Sequence, residues 1–307
     1  MKKGLVLKST GSLYLVKTND DIFLNCTIKG KLRTFDTRST NPIAVGDWVN
    51  VEEVDSTTGV IVTIIDRKNY IIRKASNLSK QSQVLAANID QAILVVTLAF
   101  PETPVEFIDR FLASCEAYRI PVVIVINKID LYQDTLKNLI KEVHEIYDPL
   151  GYKVIETSVV NKFNLDQLKS QLKSKVSVLS GNSGVGKSTL INTLYPNLSL
   201  KVGKISDYHM KGKHTTTFAE MFDLPEGGYI IDTPGIKGFG MVHMNREEIY
   251  HFFPEIFKQA AFCQYHNCLH LEEPKCAVKE AVENGTINKS RYNSYLSIMS
   301  DENSKYR

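Results

Sequence analysis

The glycine-rich segment 181–189 has the spacing G-x-x-x-x-G-K-[ST] and is the clearest chemical signal in the sequence. In this pattern backbone N–H groups surround phosphate oxygens, Lys187 reaches the β- and γ-phosphates, and Ser188 supplies a hydroxyl ligand to Mg²⁺. An apolar run, 176–180, precedes the segment and a helical pattern, 190–194, follows it, which is the context that the motif requires. The alternative is a glycine-rich turn that binds no ligand. We predict nucleotide binding by Gly181, Asn182, Ser183, Gly184, Val185, Gly186, Lys187, Ser188 and Thr189.

A second motif, Asn127-Lys128-Ile129-Asp130, follows an apolar run over 122–126. The Asp130 carboxylate can accept hydrogen bonds from N1–H and the exocyclic amine of guanine. Adenine has no donor at those positions and would leave the buried charge unpaired, which is costly. The stem of Lys128 can lie along the base, and Asn127 can tie this loop to the phosphate loop. Together with a phosphate loop, the motif favours a guanine nucleotide over an adenine nucleotide.

Two shorter segments extend the predicted nucleotide site. Glu156-Thr157-Ser158 closes the next apolar strand and resembles a weak motif whose backbone contacts guanine O6, so we expect Thr157 and Ser158 at the base. Asp232 and Gly235 follow another apolar run with the spacing D-x-x-G. This spacing predicts a carboxylate beside a Mg²⁺-bound water and a backbone N–H close to the γ-phosphate.

Hydrolysis needs a positioned water and stabilisation of the charge that develops on the phosphate. Within the run Thr215-Thr216-Thr217 we favour Thr216 as the second hydroxyl ligand of Mg²⁺; the alternative for such a run is a strand edge or a helix cap. Many GTPases carry Gln directly after D-x-x-G, but this chain has Ile236, which cannot polarise water. We therefore expect slow hydrolysis by the isolated chain. His214 is the candidate water-orienting residue, and the alternative is a solvated side chain.

A metal-binding pattern lies near the C-terminus. Cys263, Cys268, His270 and Cys276 have the spacing C-x₄-C-x-H-x₅-C, and three thiolates with one imidazole suit a closed, tetrahedral, structural Zn²⁺ site. His266 is a spare candidate ligand. The alternative is a set of buried free thiols.

The elements that must position these motifs fall into three predicted units. About five short β-rich segments in residues 1–75 favour a small closed barrel of the oligonucleotide-binding (OB) type over another small β-domain. The second unit, residues 76–236, begins with a polar bridge at 77–83. Continuous apolar runs then alternate with helical patterns, which predicts a parallel α/β sheet. Residues 237–307 lack strand patterns and are predicted to be mainly helical.

Composition excludes several classes of protein. Hydrophobic residues make up 43% and charged residues 23% of the chain, as in ordinary globular proteins, and the formal net charge is only +3. No segment has the roughly 18 consecutive apolar residues of a membrane-spanning helix. The five cysteines are odd in number and three of them cluster beside a histidine, which favours a metal site in a reducing compartment over a disulfide framework. We therefore expect a cytoplasmic protein without membrane contact.

Basic residues outnumber acidic ones within residues 1–75, and aromatic residues lie among them. This combination suits neutralisation of a nucleic-acid backbone and stacking on bases, although solvated surface charge is the commoner explanation. The residues concerned are Lys29, Lys31, Arg33, Arg38, Arg67, Lys68, Arg73 and Lys74, with the aromatic side chains of Tyr14, Phe23, Phe35 and Trp48.

In most GTPases the base-recognition motif follows the phosphate loop, whereas here it comes first, at 127–130. An N-terminal OB-like β-barrel, a central circularly permuted α/β P-loop GTPase domain and a C-terminal mainly helical zinc-binding module make the multidomain chain resemble the ribosome small-subunit-dependent GTPase A family. The resemblance implies GTP and GDP, Mg²⁺ and one structural Zn²⁺ as ligands. It also implies a monomeric cytoplasmic GTPase that binds the 30S subunit and 16S rRNA, acts late in subunit maturation, is stimulated there and leaves on hydrolysis. The alternative is a nucleotide-gated rRNA-binding checkpoint protein with negligible turnover.

Overall fold

The computed structural model describes residues 1–30, 42–74, 82–132, 134–198, 219–232 and 245–300. Within these ranges the chain forms a barrel, an α/β sheet with helices and a helical module, in that order. None of the helices in the described ranges combines the length and the hydrophobicity needed to cross a membrane.

The described part of the barrel consists of β1 (Lys2–Ser9), β2 (Tyr14–Thr18), β3 (Phe23–Ile28), β4 (Trp48–Glu53) and β5 (Thr58–Ile64). These strands are hydrogen-bonded in the order β1-β2-β3-β5-β4, and β4 pairs back with β1 to close the barrel. Alternate residues of β2 and β3 face the interior, where Val16, Leu24 and Ile61 are buried. The predicted OB-like barrel is confirmed.

Two of the predicted RNA contacts are wrong because the structure gives these residues other roles. Tyr14 is completely buried in the barrel core and cannot stack on a base. Arg67 donates from Nε and Nη2 to the two carboxylate oxygens of buried Asp47, at 2.6 and 2.7 Å, so its charge is compensated inside the protein. Phe23 is 49% exposed and keeps a free face. Outside the description lie Lys31, Arg33, Phe35, Arg38 and the side chains of Arg73 and Lys74.

The α/β region contains strands β8 (Gln91–Val96), β9 (Val122–Ile126), β10 (Lys153–Glu156), β11 (Val176–Ser180), β12 (Glu220–Asp223) and β13 (Tyr229–Asp232). Its described helices are α1 (Val105–Ala117), α2 (Asp134–Tyr147), α3 (Leu165–Leu172) and α4 (Lys187–Leu194). The strand order is β10-β9-β8-β11-β13-β12, and every neighbouring pair except the last is parallel. All residues of β8 and β9 are buried, as strands covered on both faces must be.

One further strand of the α/β sheet and one separate strand pair were not predicted from the sequence. β12 has only four residues and charged ends, yet it forms the antiparallel edge of the α/β sheet and pairs with β1 of the barrel. β6 (Tyr70–Lys74) and β7 (Ser82–Ala87) form a separate antiparallel pair. Residues 82 and 83 of the predicted polar bridge begin β7, and residues 77–81 lie outside the described ranges.

The C-terminal module has no strand within residues 245–300. It contains a 3₁₀ helix (Arg246–Phe252) followed by α5 (Pro254–Ala260), α6 (Ala277–Glu283) and α7 (Lys289–Ser300). Phe253, Val278 and Tyr295 are completely buried in its core, together with Ala113 of α1 from the α/β region. The module therefore packs directly on the helix that follows β8.

Candidate functional site

The predicted nucleotide residues converge at one edge of the α/β sheet. The phosphate loop follows β11, the base-recognition motif follows β9, and Thr157 and Ser158 follow β10. These strands are parallel, so their carboxyl ends lie side by side. Ligands of open α/β sheets bind in the crevice at this edge, which makes it the candidate site.

The phosphate loop contains two glycines at positions where any other residue would be strained. Gly181 has φ 135°, and a Cβ atom there would lie 2.1 Å from the backbone oxygen of Val95. Gly186 has φ 94°, and its Cβ would lie 2.6 Å from Nδ2 of Asn127. The loop therefore keeps its backbone close to its neighbours, and α4 begins directly after it with Lys187.

The ammonium group of Lys187 donates hydrogen bonds to the backbone oxygens of Gly181 and Asn182, each at 2.7 Å. These contacts hold the charge over the loop, at the N-terminus of α4, where a bound anion would be stabilised. Val185 is buried, whereas Ser188 is partly exposed and Ser183 and Thr189 are exposed. A glycine-lined loop with a lysine folded over it fits the phosphates of a nucleotide.

The base-recognition motif is bound to the phosphate loop, although the two are far apart in the chain. Nδ2 of Asn127 donates to the backbone oxygen of Val185 at 2.9 Å. Nζ of Lys128 donates to the backbone oxygen of Gly184 at 2.6 Å. The Asn127 hydrogen bond confirms the expected link between the two loops, and the Lys128 hydrogen bond is a second link that was not predicted.

Thr157 and Ser158 orient the base-recognition motif through their side chains. Oγ1 of Thr157 donates to Oδ1 of Asn127 at 3.1 Å, and Oγ of Ser158 donates to Oδ1 of Asp130 at 2.5 Å. The backbone oxygen of Thr157 also accepts a hydrogen bond from the N–H of Ile129 at 3.3 Å. The sequence placed both residues at the base but did not predict these side-chain contacts.

Asp232 ends β13 and pairs in register with Leu179, two residues before the phosphate loop. Burial raises the pKa of the Asp232 carboxyl, nearby Lys187 opposes that rise, and Glu220 on the neighbouring strand adds to it. A carboxylate near the lysine of the phosphate loop has the chemistry expected of a Mg²⁺ site. Gly235, His214 and Thr216 lie outside the described residues.

Two further residues contact the base-recognition motif without any sequence motif that predicts them. The backbone oxygen of Phe100 accepts a hydrogen bond from Nζ of Lys128 at 2.9 Å, and Tyr132 donates its hydroxyl to the backbone oxygen of Asn127 at 3.0 Å. A contact through a backbone oxygen has no residue-type signature. Tyr132 could have been suspected only from its position next to the motif.

The four predicted zinc ligands form one cluster in the C-terminal module, with their ligand atoms all within 4.8 Å of one another. Sγ of Cys263 lies 3.9 Å from Sγ of Cys276, and both sulfur atoms lie 3.5 Å from Nδ1 of His270. Tetrahedral Zn²⁺ at ordinary bond lengths separates two sulfur ligands by about 3.8 Å and a sulfur and a nitrogen by about 3.6 Å. Cys268 completes the donor set, so these residues fit structural zinc.

The rest of the metal loop supports this assignment. His266 is exposed and does not belong to the cluster, so the spare ligand is excluded from it. The carboxylate of Glu273 accepts hydrogen bonds from the N–H groups of Leu269 and Leu271, each at 2.8 Å. These bonds fix the backbone on both sides of His270, as partners around a metal ligand do.

Comparison with known families decides the classification. The family model described as RsgA GTPase matches residues 64–242, and the model described as RsgA N-terminal domain matches residues 3–61. The chain belongs to the RsgA GTPase family. Membership makes it a GTP hydrolase that uses GTP with Mg²⁺, and the cysteine–histidine cluster adds a site suited to structural zinc.

Relatives of this family resemble the chain over nearly its whole length. The small ribosomal subunit biogenesis GTPase RsgA of Phocaeicola vulgatus is 55% identical over 306 residues and covers 99% of both chains. Its counterpart in Christiangramia forsetii is 52% identical and covers 99% of this chain and 98% of its own. YjeQ from Thermotoga maritima superposes with a TM-score of 0.81 at 34% identity, covering 98% of each chain. YloQ, a circularly permuted GTPase, superposes with a TM-score of 0.76 at 28% identity, covering 98% and 94%.

Proposed function

We propose that this GTPase acts on the small ribosomal subunit, that the 30S particle stimulates its turnover, and that hydrolysis releases it late in subunit maturation. The observation that carries the proposal is the pair of hydrogen bonds from Asn127 and Lys128 to the phosphate loop, which join base and phosphate recognition in one site. Its full-length relatives at 55% identity are named small ribosomal subunit biogenesis GTPases, which supports the choice of partner.

In this proposal the guanine base is recognised by Asp130, whose carboxylate is oriented by Ser158. The stem of Lys128 lies along the base. The N–H groups of residues 181–189 donate to the phosphate oxygens, and the ammonium of Lys187 stabilises the charge that develops between the β- and γ-phosphates. Ser188 and Thr216 would hold Mg²⁺, which would neutralise phosphate charge. Asp232 would accept a hydrogen bond from a Mg²⁺-bound water, and the N–H of Gly235 would contact the γ-phosphate. Ile129 belongs to the base-recognition motif, and Thr157 lies at the base after β10.

The attacking water has no glutamine partner after D-x-x-G, because Ile236 occupies that position. His214 would orient this water when the partner is bound. This arrangement explains why we expect slow turnover by the isolated chain and fast turnover on the 30S particle.

Three units divide this work: an RNA-binding barrel (1–75), the GTPase domain (76–236) and the zinc module (237–307). The zinc module follows the D-x-x-G segment directly in the sequence, so we propose that a change at the γ-phosphate is passed on to this module. We propose that Cys263, Cys268, His270 and Cys276 hold its Zn²⁺ and that the protein works as a cytoplasmic monomer. The barrel offers 16S rRNA the half-exposed ring of Phe23.

The test measures GTP turnover by the purified chain alone, with 30S subunits and with 50S subunits. We expect 30S subunits to raise the rate on the order of 10³-fold, the lower end of what a partner-supplied catalytic group contributes, and 50S subunits to leave it unchanged. An unchanged rate with 30S subunits would contradict the proposal and favour a checkpoint protein in which GTP only sets rRNA affinity.

A further inference from the structure

The hydroxyl of Tyr132 connects two loops of the nucleotide site. It donates to the backbone oxygen of Asn127 at 3.0 Å and accepts a hydrogen bond from the N–H of Leu98 at 2.8 Å. The side chain is 6% exposed and packs in the core of the α/β region. Burial raises the pKa of this phenol, so the hydroxyl keeps the proton that it donates.

The loop that contains Leu98 is closed on itself and holds Lys128. The N–H of Thr103 donates to the backbone oxygen of Thr97 at 2.8 Å, and Oγ1 of Thr97 donates to the backbone oxygen of Pro101 at 2.5 Å. Between these residues, the backbone oxygen of Phe100 accepts the hydrogen bond from Lys128. A displacement of Leu98 would therefore move the acceptor that fixes the Lys128 ammonium.

Asn127, the other partner of Tyr132, makes hydrogen bonds through its side-chain nitrogen, its side-chain oxygen and its backbone oxygen. Its side-chain amide donates to Val185 and accepts from Thr157, while its backbone oxygen accepts from Tyr132. Asn127 is 2% exposed, so water cannot replace a lost partner without rearrangement. The tyrosine hydroxyl thus links the base-recognition loop to the loop 97–103, in addition to the hydrogen bond from Lys128 to Phe100.

We propose that Tyr132 is a positioning residue for guanine-nucleotide binding. Its hydroxyl holds the loop 97–103 against the base-recognition motif and so fixes Lys128 and Asn127 in the geometry that receives the base. The inference rests on the proposed nucleotide site. A site that already has its binding geometry needs less free energy to become ordered when the ligand binds. Loss of the Tyr132 hydroxyl should therefore lower the affinity for the nucleotide.

Tyr152 provides a matched control on the same core. It is also 6% exposed, and its hydroxyl donates to Oε1 of Glu116 at 2.9 Å. Tyr152 precedes β10, whereas the nucleotide residues follow the carboxyl ends of the strands. Loss of its hydroxyl removes a similar hydrogen bond without touching the nucleotide loops.

The experiment compares the full-length chain with Tyr132→Phe and Tyr152→Phe. Fluorescent N-methylanthraniloyl-GDP with Mg²⁺ gives Kd, steady-state hydrolysis gives KM and kcat, and thermal melting gives stability. We expect Tyr132→Phe to raise Kd and KM about tenfold, because a buried and a partly buried backbone group lose their partner, while kcat at saturating GTP is unchanged. Tyr152→Phe should lose thermal stability but keep the Kd of the unmodified chain.

Two results would overturn the inference alone: an unchanged Kd in Tyr132→Phe, or an equal rise in Tyr152→Phe. If the unmodified chain fails to bind the fluorescent GDP, the proposed nucleotide site is wrong and the inference falls with it. If Tyr132→Phe does not fold, amide hydrogen exchange of the unmodified chain decides. The Leu98 amide should exchange slowly and be protected further by GDP, and rapid exchange in both states would overturn the role of Tyr132.

Discussion

Arg291 and Asp109 form a completely buried ion pair, with Nη1 of the arginine 2.8 Å from Oδ1 of the aspartate. The pair joins α7 of the zinc module to α1, the helix that follows the loop 97–103. Arg291 also donates to both carboxylate oxygens of Glu255, at 2.6 and 3.2 Å, and Tyr147 donates to the same oxygen of Asp109 at 2.8 Å. One arginine therefore compensates two acidic groups at this interface.

Arg291→Met should strongly destabilise the chain. The methionine fills much of the space but leaves the carboxylates of Asp109 and Glu255 buried beside each other without a counter-charge, which costs roughly 3–5 kcal/mol. Urea unfolding followed by circular dichroism measures the loss. Arg110→Met is the control, because Arg110 pairs with partly exposed Glu106 at 3.0 Å and such pairs contribute less than about 1 kcal/mol. Equal losses in the two variants would contradict the importance of the buried pair.

Cys276→Ser should abolish zinc binding. The purified chain should contain one Zn²⁺ by elemental analysis, and the variant should contain none and become sensitive to protease within residues 245–300, since metal binding supplies folding free energy. Cys26→Ala is the control: this thiol is buried in the barrel, where burial raises its pKa to about 11. The control and His266→Ala should both retain the ion. Zinc retained in Cys276→Ser, or lost in His266→Ala, would show that the ligand set is wrong.

Asp130→Asn should change the base preference from guanine to xanthine. The amide presents a donor where the carboxylate presented an acceptor, which suits the carbonyl oxygen of xanthine in place of the guanine amine. Competition of GTP and XTP for the site measures the change. Asp166→Asn, at an exposed position of α3, is the control and should keep the preference for GTP. A variant of Asp130 that still prefers GTP would remove this residue from base recognition.

Lys187→Ala should eliminate GTP turnover, with and without 30S subunits. The change removes the ammonium that is held over Gly181 and Asn182 and that would stabilise phosphate charge. Lys175→Ala is a control at the opposite end of β11, where Nζ donates to Oε1 of Gln91 at 3.2 Å. It should retain turnover. Stimulated hydrolysis by Lys187→Ala would contradict the assignment of the phosphate loop.

Sequence patterns predicted the sites in which the residue types and their spacing define the chemistry. The loop 181–189, the motif at 127–130 and the four zinc ligands were each predicted from residue types at fixed spacing, and the structure brings each set together. The parallel sheet was equally accessible, because strands buried on both faces are apolar at every position. The OB-like barrel followed from its short alternating strands.

Sequence patterns fail where the environment of a side chain decides its role. Tyr14 and Arg67 have the residue types of an RNA-binding surface, but one fills the barrel core and the other neutralises Asp47. The short strand β12 and the helix α5 lack a local signal long enough to detect. Residue type fixes what a side chain can do, while its exposure depends on the folded chain.

The sequence by itself determined the guanine nucleotide, the phosphate loop and the metal chemistry of this protein, because these depend on local order along the chain. Only the tertiary structure decided that Tyr132 joins the base-recognition loop to Leu98, and that Arg291 joins the zinc module to α1. These contacts link residues that separate strands and helices bring together. A hydrogen bond between such residues depends on distance in space, which spacing along one sequence does not encode.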